Sequence, residues 1–263
     1  MPDILFERRA GAATVTLNRP QARNAITPEM VREFHEFLQD IESDSSVRCV
    51  LLKGAGEHFM AGGDVKSFAE TTGLPPEERR RMFQARVEAV APLLLTMQRM
   101  PQILITAVRG GCAGAGLSWV AASDLTIAAR SSFFLLAQAK LGVSPDGSGT
   151  YWLPRTLSLK RAKEIALLAD RFSAEDAQRW GMVNRVVEDD ALDAAAEEWV
   201  SRLAAGPAAA LGATKKLLNE SLGNSYAAQL QREAESFAAC AATPDFVEGL
   251  RAFIEKRDAR FGG

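Results

Sequence analysis

Residues Arg109–Trp119 read RGGCAGAGLSW, with glycine at positions 110, 111, 114 and 116. The stretch follows an apolar run, ILITAV at residues 103–108, that reads as a buried strand, and it runs on into a helix. A backbone this bare between strand and helix suits three chemistries. It could cradle a phosphate, present a nucleophile on a tight turn, or aim main-chain N–H groups at a developing oxyanion. The first is poorly served: Gly114 and Gly116 begin G-x-G-x-x-G, but its third glycine falls at Trp119, and no Gly-Lys-Ser/Thr follows. The second fails on order. Ser118 lacks the following glycine of G-x-S-x-G because Val120 stands there, and the two histidines, His35 and His58, both precede it. In the third, Gly114-Ala115-Gly116 at a helix start leaves the first N–H donors unpaired and facing negative charge. A plainer reading stands beside it, in which small residues only let strand and helix pack closely. A second loop shifts the balance toward the oxyanion: FMAGGDVKSF (residues 59–68) also follows a buried strand, VRCVLLKG, and also presents small residues before a helical turn.

The same alternation extends outward. ILFERR and ATVTLN suit a hairpin joined at Ala10-Gly11-Ala12. Thr27-Pro28 then caps a helix that places Met30, Phe34, Phe37, Leu38 and Ile41 on one face. One long helical region is expected from Pro76 to Met100. Ser173 with Glu175 and Asp176 reads as a helix cap, with Gly181 as the stop. From Asp190 the chain is almost wholly helical, interrupted at Pro207 and restarted at Thr243-Pro244. Strand, glycine turn and helix in recurrence imply an α/β fold with parallel pairing.

Composition narrows the partners. The 263 residues are 47% apolar and 24% charged, with a net charge of −2, and the isoelectric point is near 5.9. Bulk charge gives no reason to expect nucleic acid or an anionic membrane as partner. The three cysteines, Cys49, Cys112 and Cys240, lack metal spacing and suit free buried thiols in a reducing compartment. With no leader pattern and no apolar run of about 18 residues, a cytoplasmic protein is expected.

In order, LNRPQARNAIT, HFMAGGDVKSF, AVRGGCAGAGLSWVAASDLTIAA, KLGVSPDGSGTYWLPR, SAEDAQRWGMVNRVV and EGLRAFIEKRDARF resemble the crotonase, or enoyl-CoA hydratase/isomerase, superfamily. The likeness runs from near residue 4 to Phe261. It implies a crotonase-type spiral of ββα units over residues 1–200, with the acyl-CoA site. A helical C-terminal region, residues 201–263, would serve trimerisation, as a homotrimer or dimer of trimers. It implies a coenzyme A thioester substrate, with no metal and no cofactor beyond the coenzyme A carried by that substrate. By position, the N–H groups of Gly63 and Ala115 would form the oxyanion hole, and Gly63, Asp64, Val65 and Lys66 would line the acyl-CoA site. Ala22 and Ala61 would meet the coenzyme through their backbones, and Lys256, from a neighbouring subunit, would approach its phosphates. Asp64 so near an anionic intermediate is expected to shape the loop rather than react.

The departures carry most of the functional argument. Family hydratases use two glutamates; Ser118 stands at the first position and Gln138 at the second, and neither can act as a carboxylate acid or base. Asp146, in SPDGSGTYWLPR, reads from its neighbours alone as a turn or helix-cap aspartate. The resemblance gives it work, since family isomerases carry an acting aspartate in a similar setting, and Tyr151, Trp152 and the SSFFLLAQ segment could surround it with apolar groups. The dehalogenase branch would need Trp at Gln138 and His at Leu93. The expectation is therefore a Δ3-Δ2 enoyl-CoA isomerase, or a related ring-opened or aromatic-degradation CoA isomerase, with Asp146 as acid/base. Its rivals are a weak hydratase in which Gln138 positions water, and a noncatalytic acyl-CoA-binding or RNA-binding relative.

Overall fold

The computed structural model describes residues 1–262. Its first two apolar runs pair antiparallel as β1 (Ile4–Arg9) and β2 (Gly11–Leu17), with Arg9 opposite Ala12. Gly11 makes that turn at φ 76°, where any Cβ would also crowd Ala204. Parallel strands extend the sheet: β3 (Val47–Gly54), β4 (Ile103–Val108), β6 (Leu125–Ala129) and β9 (Arg185–Val187), in the order β1-β2-β3-β4-β6-β9. β4 is buried at every position, as a strand covered on both faces must be. A smaller sheet, β5-β7-β8, joins Gly111–Ala113, Phe133–Leu135 and Phe172–Ser173.

Helices close both faces. In α1 (Pro28–Glu42) the Thr27 hydroxyl accepts from the Met30 N–H, and Met30, Val31, Phe34, Leu38 and Ile41 are buried. Phe37 lies at the rim of that face, stacked on Phe6 at 4.4 Å. The region expected as one helix divides into α3 (Pro76–Glu88) and α4 (Ala91–Arg99), following the short α2 (Val65–Ala69). Pro92 accounts for the break, because it supplies no N–H to continue the preceding turn. Next come α5 (Ala115–Ala122), α6 (Gly149–Thr156), α7 (Leu159–Leu168) and α8 (Ala174–Trp180). The cap read from sequence is present: Ser173 accepts from the Asp176 N–H at 3.0 Å, and Gly181 ends α8 at φ 93°.

α9 (Leu192–Ala204) covers the other face of the large sheet, setting Ala195, Ala196 and Val200 with Leu51, Ile105 and Ile127. Residue 200, where the sequence suggested a division, falls within α9. The helical tail continues as α10 (Ala208–Ser221), α11 (Tyr226–Ala241) and α12 (Pro244–Glu255). α11 and α12 leave Tyr226, Phe237, Phe253 and Ile254 largely exposed. Among the described residues, no helix is long and apolar enough to cross a membrane, and no group of three or more His, Cys, Asp or Glu is placed to hold a metal. Cys49 and Cys112 are buried free thiols, whereas Cys240 is partly exposed. Burial pushes the Cys49 thiol up to about 12.

Candidate active site

The glycines of the opening stretch divide the work between the two readings. At Gly110 a side chain would collide with the Glu57 carbonyl, and at Gly111 it would meet Phe133, so these two permit close packing. Gly114 instead makes the turn into α5 at φ 55°, ψ −121°, a conformation that suits glycine.

The loop over residues 58–63 is laid beside β5 like an added strand. Ala113 N–H donates to Met60 O at 2.8 Å, and Met60 N–H to Gly111 O at 3.2 Å. His58 braces this arrangement, with Nδ1 accepting from the Gly111 N–H at 3.0 Å. Fully buried Asn24 ties the far side, its amide donating to His58 O at 2.7 Å and Ala55 O at 2.9 Å. Neither role was foreseen, although a buried Asn in NRPQARNAIT is the kind of residue that must find several partners. The result brings Gly62-Gly63 against Gly114-Ala115: a Cβ on Gly62 would stand 3.3 Å from Ala115 N. Among the described residues, neither the Gly63 nor the Ala115 N–H donates to a protein acceptor. Ala115 begins α5, so helix geometry itself leaves its N–H free.

The loop over residues 145–149 sits on the first turn of α5. Gly147, at φ 62°, allows this, because a Cβ there would stand 3.4 Å from Ser118 Cβ and 3.7 Å from Ala115 Cβ. Ser148 follows at φ 71°. Fully buried Ser118 clasps the loop, donating from Oγ to the Asp146 carbonyl at 2.9 Å. The sequence marked Ser118 as a rejected nucleophile and a missing glutamate; its structural task became visible with the loop in place.

Asp146 does not use its carboxylate as the turn and cap reading required. The residue preceding α6 is Ser148, and it is the Asp146 main-chain carbonyl that accepts from Gly149 N–H at 3.2 Å. Among the described residues, the carboxylate has one donor, Gln138 Nε2, at 2.9 Å from Oδ1. Gln138 comes from the tight turn Ala137–Leu141 and is 7% exposed. Its Nε2 lies 3.9 Å from where a Gly114 Cβ would be, which sets the amide and the Asp146 carboxylate beside the start of α5.

Other sequence candidates fall around this centre. Asp64 caps α2, accepting from Lys66 N–H at 3.1 Å, and pairs with Arg19 at 3.2 Å. Burial works to raise the Asp64 carboxyl, but the Arg19 hydrogen bond and charge, with the Lys66 and Ser67 amides, hold it below its ordinary value. Val65 and Lys66 are exposed beside it. Ala22 and Ala61 belong to neighbouring segments joined by an Ala61 N–H bond to Arg23 O at 2.9 Å. Lys256 is exposed at the end of α12, and among the described residues no hydrogen bond or ion pair ties it to this centre. Trp152 packs against the core, but Tyr151 turns to solvent under Arg155, so Tyr151 does not enclose Asp146 as expected. Leu93, where a dehalogenase would need histidine, is fully buried in α4.

A family model described as enoyl-CoA hydratase/isomerase matches residues 7–263. The 1,2-epoxyphenylacetyl-CoA isomerase of Escherichia coli (strain K12) is 37% identical, covering 100% of this chain and 99% of the relative. The short-chain-enoyl-CoA hydratase of Clostridium acetobutylicum is 31% identical, over 97% of this chain and 95% of the relative. The crystal structure of an enoyl-CoA hydratase from Polaromonas sp. JS666 superposes with a TM-score of 0.91 at 30% identity, covering 98% of this chain and 99% of that one. The chain belongs to the enoyl-CoA hydratase/isomerase family, has the crotonase fold, and is by family an enzyme of acyl-CoA thioesters.

Proposed function

We propose that this protein shifts a double bond in an enoyl-CoA thioester, in the manner of a Δ3-Δ2 enoyl-CoA isomerase. The thioester oxygen lies between the Gly63 and Ala115 N–H groups. The Asp146 carboxylate removes a proton from C2 of a 3-enoyl thioester, and the electron pair spreads onto that oxygen as a dienolate. Two main-chain donors and the N-terminal end of α5 stabilise the charge where it develops. Asp146 then returns the proton at C4, leaving a 2-enoyl thioester with no net gain or loss of atoms. Gly63-Asp64-Val65-Lys66 lines the acyl-CoA path, with Ala22 and Ala61 contacting the coenzyme through their backbones. Lys256 reaches the phosphates from a neighbouring subunit of a homotrimer or dimer of trimers, whose packing would cover the exposed aromatics of α11 and α12. The reaction requires no metal or cofactor beyond the coenzyme A of its substrate.

One observation carries this reading: the Asp146 carboxylate is spared from capping and is bonded to Gln138, whose amide lies by Gly114 at the start of α5, while Ser118 and Gln138 stand where the resemblance puts the glutamates of a hydratase. The isomerase named among the relatives supports it. The test is turnover of 3-hexenoyl-CoA in deuterated water, followed by mass. Wild type forms 2-hexenoyl-CoA with no addition of water, taking up deuterium at C4, and at C2 on reversal, to the extent that the proton held by Asp146 exchanges with solvent before its return. Asp146→Asn loses about 100- to 10,000-fold in rate, the range for removing a general acid/base. Rapid hydration of crotonyl-CoA that survives Asp146→Ala would overturn the proposal in favour of a hydratase. Binding of thioesters without turnover would make the protein a noncatalytic member.

A further inference from the structure

Gln138 stands where hydratases of the family keep a glutamate, yet it is built into the site rather than left as a vestige. It is 7% exposed, and its Nε2 supplies the one protein hydrogen bond to the Asp146 carboxylate among the described residues. An ionised carboxylate can only accept, so the amide must present its nitrogen to Asp146 and turn its oxygen away. Among the described residues, that oxygen, Oε1, is buried without a donor. A buried acceptor left open is unfavourable, so packing alone does not explain this orientation; the bond to the carboxylate holds the amide in place.

We infer that Gln138 is a positioning residue that makes Asp146 a one-ended base: it pins Oδ1 and leaves Oδ2 to collect and return the substrate's proton. The inference rests on the proposed role of Asp146. A carboxylate free to rotate would present either oxygen to C2 or C4. A pinned one keeps a single oxygen on the path between the two carbons, where small displacements are costly in rate. Gln138 touches no reacting atom in this scheme. It acts through Asp146, so its loss should lower kcat and leave thioester affinity alone.

The test compares Gln138→Met, which keeps length but neither donates nor accepts strongly, with Gln138→Glu, which keeps shape but sets an acceptor against Asp146. Both are assayed on 3-hexenoyl-CoA in deuterated water, with hexanoyl-CoA binding and thermal melting measured in parallel. Gln138→Met should lose about 10- to 100-fold in kcat, the scale of one hydrogen bond to a charged group, with KM and hexanoyl-CoA affinity within about twofold of wild type. Gln138→Glu should lose more than Gln138→Met. A residue that only fills space gives the opposite order, with isosteric Glu nearest wild type, and that order would overturn the inference. So would a fall confined to KM or to melting temperature. Asp146→Asn runs alongside: if it retains full exchange, the proposed function has failed. If it loses exchange while Gln138→Met keeps wild-type kcat, only the positioning role has failed.

Discussion

Two aspartates flank α5, and the protein treats them oppositely. Asp124, just past its C-terminal end, accepts from the Leu104 N–H at 2.7 Å and from Lys215 Nζ at 2.8 Å. Lys215 in turn gives its remaining donors to Met97 O and Gln102 O, both at 2.9 Å. Burial pushes the Asp124 carboxyl above its ordinary value and pulls the Lys215 ammonium below its own; in each case the partner's charge opposes the shift. Asp146, against the first turn of the same helix, is partly exposed like Asp124, but among the described residues its carboxylate has a single, uncharged amide donor. The carboxylate that serves the fold is held by a cation and a main-chain amide, both on Oδ2; the one proposed to exchange a proton has only a neutral side-chain amide beside it.

The contrast can be broken experimentally. Lys215→Met leaves Asp124 enclosed without its cation and should cost about 3 kcal/mol of stability, read by denaturant unfolding. Replacing both members with apolar residues should recover much of that, whereas Asp146→Asn should leave the unfolding midpoint nearly unchanged. A loss of comparable size at Asp146 would erase the distinction between the two sites. A smaller effect is expected from Ser118→Ala, which removes the clasp on the Asp146 carbonyl while Gly149 N–H still binds it. It should cost about 1 kcal/mol in stability, and kcat should fall several-fold as the loop loosens. The smallest effect concerns a second well-supplied carboxylate. Glu248 is partly exposed and accepts from Arg257 at 2.7 Å and the Arg260 N–H at 2.9 Å, and these hold its carboxyl down at about 2. A depressed carboxyl contributes fully above its unfolded range and loses that contribution as pH falls through about 2. Protection of the Arg260 amide, corrected for intrinsic exchange, should therefore decline between about pH 4.5 and 2 while the core stays protected.

Much of the fold was legible because its signals are local. The unbroken apolar runs at Val47–Gly54 and Ile103–Val108 announce covered strands, and Thr27, Ser173 and Gly181 mark helix ends. The break between α3 and α4 was missed although Pro92 signalled it, because the polar sequence before it offers no apolar stripe to bound. The backbone part of the site could be read from glycines at two strand ends, since bare backbone is conspicuous. Its side-chain part could not. That Ser118 reaches the Asp146 carbonyl, that Gln138 faces its carboxylate and that His58 braces Gly111 are pairings across 28, 8 and 53 residues of chain. No periodicity encodes such meetings; they follow from how the loops settle on α5.

Cys112 lies in β5, wholly enclosed, bridged to Met60 of the loop that carries Gly63. A thiol reagent can reach its sulfur only when that cover lifts, so the pace of its modification clocks the breathing of the chamber. The molecule thereby carries its own gauge of how firmly the Gly63 loop is held against β5.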